Sequence, residues 1–189
     1  MRVLVACEES QRVCIAFRER GHEAYSCDVI NCSGGHPEWH IKDDVLKHLN
    51  DGWDLMIAHP PCTRLANSGV RWLNERNLWS EMKLGAEFFK SLLTCEIPKI
   101  AIENPIPHKY GLNIIGKKYT QIIQPHYFGD KETKATCLWL IGLPELKRTH
   151  WITDDIKDSV HQCSPGPERA KIRSVTFPGF ARAMAEQWG

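Results

Sequence analysis

Two short stretches carry side chains of the types that do covalent chemistry. In "DLMIAHPPCTRLANSG" (54–69) an apolar run from Leu55 to Ala58 stops at Pro60 and Pro61, and Cys62 follows at once. Proline lacks the donor a β-ladder needs, so the run reads as a buried strand with Cys62 just past its carboxyl end. Open α/β sheets place their ligands there, whereas a thiol that only packs belongs inside the strand. In "KIAIENPIPHKYG" (99–111) Glu103 ends a second apolar run in the same way. The 41 residues from Cys62 to Glu103 suffice for one helix and one strand, which brings both to one sheet edge from neighbouring strands. A cysteine and a carboxyl group facing one crevice are a nucleophile and an acid.

The elements that must position this pair alternate along the chain. Strands are expected at 2–6, 22–28, 53–58 and 99–104, where short apolar runs end at Gly, Pro or acidic residues. Helices are expected at 11–21, 43–49, 74–94 and 180–188, where apolar residues recur at helical spacing. The segments 119–125 and 136–142 read as late strands, antiparallel to the rest. Alternation of this kind predicts a single α/β domain over residues 1–189, a mainly parallel sheet with helices on both faces and an antiparallel edge.

Bulk properties narrow the function. A chain of 189 residues can bury one sizeable core, and a net charge of +1 gives no global field that attracts nucleic acid. No segment approaches membrane-spanning length and the amino terminus lacks a signal peptide, so the expected place is the cytoplasm, without membrane contact. The eight cysteines are then expected as reduced thiols.

Other constellations are less specific. Asp28 ends the second strand about twenty residues after the first strand–helix turn, where dinucleotide-type folds bond ribose hydroxyls; it also suits a plain turn. Asp44 reads as a helix cap or an adenine contact. Cys27, Cys32, His36 and His40 are zinc-binding types, but their spacing matches no common finger, and a loop with incidental histidines is preferred, with no metal expected. Arg71, Trp72, Arg76 and Trp79 mix cations with indoles, a mixture suited to phosphate and stacked bases and equally to loop packing.

"HPPC" followed by "IENP" resembles the Pro-Cys and Glu-Asn motifs of the DNA cytosine-5 methyltransferases, in the family's order. The chain as a whole resembles short phage and prophage DNA methylases. About thirty residues lie between Gly142 and the closing helix, so 143–174 stands as a reduced insertion where the family has a target-recognition domain. The resemblance implies a Rossmann-like class I methyltransferase fold, S-adenosylmethionine as cofactor and nucleic acid as partner. DNA comes first, with single strands, RNA or a nucleotide open. It implies Cys62 as nucleophile, protonated Glu103 on the ring, Asn104 bracing the loop, and Lys134, Lys131 or Arg64 as the cation favouring thiolate. It further implies Glu8, Glu9, Ser10, Asp28, Asp44 and Pro60 at the cofactor, and Arg64, Arg71 and Trp72 at the substrate. The first loop, "CEESQR", has no glycine where the family is glycine-rich.

The alternatives are an amino-group methyltransferase, in which Cys62 is no nucleophile, and a catalytically silent, methyltransferase-like binding partner. A homo-oligomer or a protein partner that supplies specificity is also open, and a phage-encoded chain would work in the host cytoplasm.

Overall fold

The strands are apolar on both faces and must be covered on both. Val3 and Val5 of β1 (Arg2–Ala6) face one side of the sheet, Leu4 and Ala6 the other, and all four are fully buried. β4 (Leu55–Ala58) and β5 (Lys99–Pro105) follow the same rule. A computed structural model, which describes residues 1–162, 164, 166 and 169–189, shows how this burial is met. Cys163 lies outside the described residues; the other seven cysteines are free thiols.

β1, β2 (Glu23–Asp28), β3 (His40–Lys42), β4, β5, β6 (Gln121–Ile123) and β7 (Thr136–Ile141) form one sheet in the order β3-β2-β1-β4-β5-β7-β6. The first five strands are parallel, and β7 pairs antiparallel with both β5 and β6. On one face α1 (Arg12–Glu19) and α7 (Pro178–Trp188) bury Phe17, Phe180, Met184 and Trp188 against Val3, Val5 and Ile57. The opposite face is covered by α3 (Trp79–Leu93) and α4 (Lys109–Ile115), with Phe89 and Leu92 against Met56, Ile100 and Trp139. Strand order reverses between β1 and β4, and the carboxyl ends on either side of that point frame a crevice.

The structure departs from the expected elements in specific places. The helix expected over 74–94 is two helices, α2 (Arg71–Glu75) and α3, separated at Asn77, whose φ of 51° breaks the run. Asparagine is among the few residues that adopt this left-handed conformation readily. The helix expected at 43–49 is a single 3-10 turn, Val45–Lys47. β3 is too short for any periodicity, and α4 contains Gly111, which masked it. Two further helices, α5 (Ser159–Gln162) and α6 (Arg169–Ser174), lie within the 143–174 stretch. That stretch is tied to the sheet side through Gln121, which exchanges hydrogen bonds with the Leu146 backbone.

Candidate active site

Period-2 alternation at the strand tips sorts the chemistry between the two faces. β4 and β5 run in register from Leu55–Lys99 to Ala58–Ile102, so the residues that follow, His59 and Glu103, emerge side by side. His59 Nδ1 and Glu103 Oε2 are 3.0 Å apart, with side chains only 8% and 10% exposed. Asn104 turns the opposite way, where its Nδ2 donates to the Pro60 carbonyl at 2.9 Å. That bond ties the β5 tip to the Pro-Pro turn. The Cys62 carbonyl accepts from the Leu65 and Ala66 amides, so the half-buried cysteine opens a tight turn.

The electrostatics of the pair are those of a carboxylate ringed by donors. Burial pushes the Glu103 carboxyl up, but Lys134, His59 and the Thr136 hydroxyl outweigh it and hold the group at about 2. These neighbours favour the ionised form, so the protonated Glu103 that the resemblance implies requires a proton supplied from elsewhere. The Cys62 thiol is raised on balance: burial pushes it up first and the Glu103 charge adds to that, while Lys134 and Arg173 offset only part of the rise. Of the three cations considered beside Cys62, Lys134 alone acts on this thiol. Arg64 is held by Glu81 at 2.8 Å and Lys131 by Asp155 at 3.4 Å.

Glu103, Lys134 and Thr136 line a cavity of about 10 Å³ with Thr176, Phe177 and Phe180. This is about one water's space. Cys62 is not among its walls. The Lys134 ammonium donates to the Arg173 carbonyl at 3.0 Å, so the segment leading into α7 is fastened over Glu103.

The other side of the crevice is acidic. Cys7, which follows β1 with φ 58°, has its thiol pushed to about 12 by burial and by the charges of Asp28, Cys27 and Asp44. Asp28, at the end of β2, and Asp44, in the loop after β3, thus both act on the β1 tip. One Asp28 oxygen accepts from the Ile30 amide at 3.2 Å, and Asp44 accepts from Leu46 N at 3.0 Å, capping the 3-10 turn. Glu8 corrects the expectation for the first loop. Both its oxygens accept α1 amides, Val13 N at 2.6 Å and Cys14 N at 3.2 Å, so it holds the helix amino terminus instead. Glu9 and Ser10 stay half-buried at the rim, and Glu9 Oε1 is buried without a partner.

This glycine-free loop is packed against the next one. Cys7 and Gln11 themselves adopt positive φ, and the close approach is provided by Gly34 from the next loop. A Cβ there would lie 2.5 Å from Gln11 Cβ and 2.6 Å from the Ser10 carbonyl oxygen. Gln11 clamps the same loop, donating to the His36 carbonyl and accepting from its amide.

Beyond Cys62 the loop is cationic and aromatic. The Arg71 and Arg76 guanidinium groups lie 4.3 and 4.2 Å from the Trp72 ring centroid, on an exposed stretch. Of the four residues weighed for zinc, three have other partners: Cys27 Sγ on the Asp43 carbonyl, His36 stacked on Trp39, and His40 between Ser26 and Ile30. Among the described residues no three such groups cluster. No described helix is long and apolar enough to cross a membrane. Sequence reasoning missed His59, Thr136 and Arg173. His59 stands in "HPPC" itself, and its place after a buried strand was the available signal.

No family model and no curated protein matches the chain. Solved structures do. A protein assigned as a DNA modification methyltransferase encoded within an E. coli prophage is 12% identical, with a TM-score of 0.50 over 74% of this chain and 46% of that one. The Entamoeba histolytica methyltransferase EhMeth is 16% identical, with a TM-score of 0.53 over 79% and 57%. The S. pombe Dnmt2 methyltransferase is 14% identical, with a TM-score of 0.50 over 87% and 54%. The chain spans about half the length of the structures it matches. With the strand order and the antiparallel edge, these likenesses identify the fold as the Rossmann-like fold of class I methyltransferases.

Proposed function

We propose that this protein is an S-adenosylmethionine-dependent methyltransferase acting at C5 of cytosine in nucleic acid, DNA first, through a covalent adduct on Cys62. The observation that carries the reading is the placement of Cys62, Glu103 and Lys134 at the ends of the adjacent strands β4, β5 and β7, near enough that the charges of Glu103 and Lys134 both act on the Cys62 thiol. The acidic half of the crevice fits the cofactor. Asp28 has a carboxylate oxygen to offer ribose hydroxyls, and Val29 and Ile30 beside it are 68% and 54% exposed, apolar surface for an adenine. The unpartnered Glu9 Oε1, with Ser10, suits the amino acid portion.

C5 of cytosine is a weak nucleophile. Addition of the Cys62 thiolate to C6 makes the ring an enamine, and Glu103 relieves charge at N3 and the exocyclic amine. The bound cofactor supplies an electrophilic methyl group. Lys134 favours the thiolate, and Asn104 holds the turn that presents it. Because the cavity at Glu103 holds only a water, a pyrimidine enters by displacing the wall of Thr176, Phe177 and Phe180. A base in duplex must first be flipped out, and Arg71, Trp72 and Arg76 offer cations and a stacking face for the opened strand.

The test is incubation with methyl-labelled cofactor and a panel of duplex DNA, single strands, RNA and mononucleotides, with the product base identified by mass spectrometry. The expected product is 5-methylcytosine, absent with Cys62→Ser. One observation favours a second reading, methyl transfer to an exocyclic amine: an ionised Glu103 is an acceptor for an amino group. Methylated amine with an active Cys62→Ser enzyme would establish that instead. Failure to bind the cofactor in calorimetry would leave a silent partner.

A further inference from the structure

The mechanism above leaves one buried titratable group without a task. His59 is nine-tenths buried, its Nδ1 lies 3.0 Å from Glu103 Oε2, and its Nε2 is buried with no hydrogen-bond partner. A polar atom without a partner in such a place costs stability, and a catalytic role is one reason such a group is kept. The groups facing it come from three elements. Glu8, from the loop after β1, feels the His59 charge. Glu103 of β5 is its hydrogen-bond partner, Lys134, just before β7, acts on the same carboxylate, and that carboxylate in turn acts on the Cys62 thiol. His59 thus sits between a carboxyl group on the cofactor side and the carboxylate on the target side.

We propose that His59 is the positioning residue of Glu103 and stores the proton that Glu103 delivers to N3 of the pyrimidine, an inference that rests on the cytosine C5 reading. The step balances. The Cys62 thiolate forms the S–C6 bond, the C5=C6 pair shifts to C4=C5, and the C4=N3 pair moves to N3. Glu103 takes a proton from Nδ1 of the His59 imidazolium and passes it on to N3. The ring adduct and the imidazole are then both neutral, and no outside reactant is consumed. On elimination the proton returns by the same path. Glu103 cannot act alone here, because its neighbours hold it ionised; the adjacent imidazole supplies what it lacks.

The test reads the addition step without cofactor. An adduct at C6 makes the C5 hydrogen exchangeable, so release of tritium from 5-tritiated cytosine in single-stranded DNA reports it. For the wild-type chain the exchange rate should rise with pH as Cys62 ionises, then fall as His59 loses its second proton. His59→Gln keeps a hydrogen bond to Glu103 but stores no proton; it should lose the falling limb and slow about a hundredfold, the low end of proton-transfer contributions. An unchanged bell in His59→Gln overturns the proposal and leaves the cytosine reading standing. Should that variant fail to fold, nitrogen NMR of the wild-type chain decides. Protons on both His59 nitrogens at the exchange optimum support the store, and a proton on one nitrogen only refutes it. Wild-type protein with neither exchange nor a 5-fluorocytosine adduct would sink both readings together.

Discussion

Cys7 and Cys62 each follow a buried parallel strand, β1 and β4, that pair with one another in the sheet. Both are half-buried, and both stand at the carboxyl edge where ligands bind. Their surroundings differ in sign. Burial first, and then the charges of Asp28 and Asp44, drive the Cys7 thiol to about 12. Cys62 faces one carboxylate, and Lys134 and Arg173 oppose both that charge and burial. A strand tip makes a cysteine available; the charges converging from other strands decide whether it can become a thiolate. The same contrast divides the crevice into an anionic half and a mixed half, which the proposed function assigns to the cofactor and to the pyrimidine.

Exchanging the two sulfurs one at a time tests this division most severely. Cys62→Ser should lower methyl transfer on the order of 10³-fold or more, whereas Cys7→Ser should leave trapping by 5-fluorocytosine DNA in place, read on denaturing gels. Equal losses in both variants would erase the distinction.

Next in size is an attack on the anionic half alone. Gly34→Ala drives a methyl group into Gln11 and the Ser10 carbonyl. It should cost roughly 1–3 kcal/mol in urea denaturation and weaken cofactor binding by calorimetry. Alkylation of Cys62 by iodoacetamide should be untouched.

A subtler change sharpens the other half. Lys134→Met removes the cation that lowers the Cys62 thiol, so at fixed pH alkylation of Cys62 should slow while that of Cys7 does not change.

The smallest effect is on acid stability. Glu103 is held at about 2 against an ordinary 4.5, so the folded state binds this proton less tightly than the unfolded chain. Its contribution is complete above about 4.5 and is lost as pH falls towards about 2. Urea midpoints followed from pH 6 to pH 2 should fall less steeply in Glu103→Gln than in the wild type. A parallel fall would show that the carboxylate is not held as described.

The residues themselves announced much of this. Pro60 and Pro61 could only end a strand, so Cys62 had to sit beyond it, and the apolar run before Glu103 had to be buried beside it. The alternation of strands and helices implied the parallel sheet, and the late strands its antiparallel edge. Glu8 shows the limit. Its position after β1 suited a cofactor contact, yet nothing in "CEESQR" reveals that its oxygens close on the amides of α1. Asn77 likewise broke a helix that periodicity alone ran straight through.

Local order in the chain therefore determined which residue types arrive at the sheet edge, because strand endings and side-chain alternation are set by neighbours in sequence. Only the tertiary structure decided their charge states and partners. His59 lies 44 residues from Glu103, and Lys134 39 residues from the Arg173 carbonyl it holds. Electrostatic energy depends on separation in space and on burial, and neither is written in the spacing of residues along the chain.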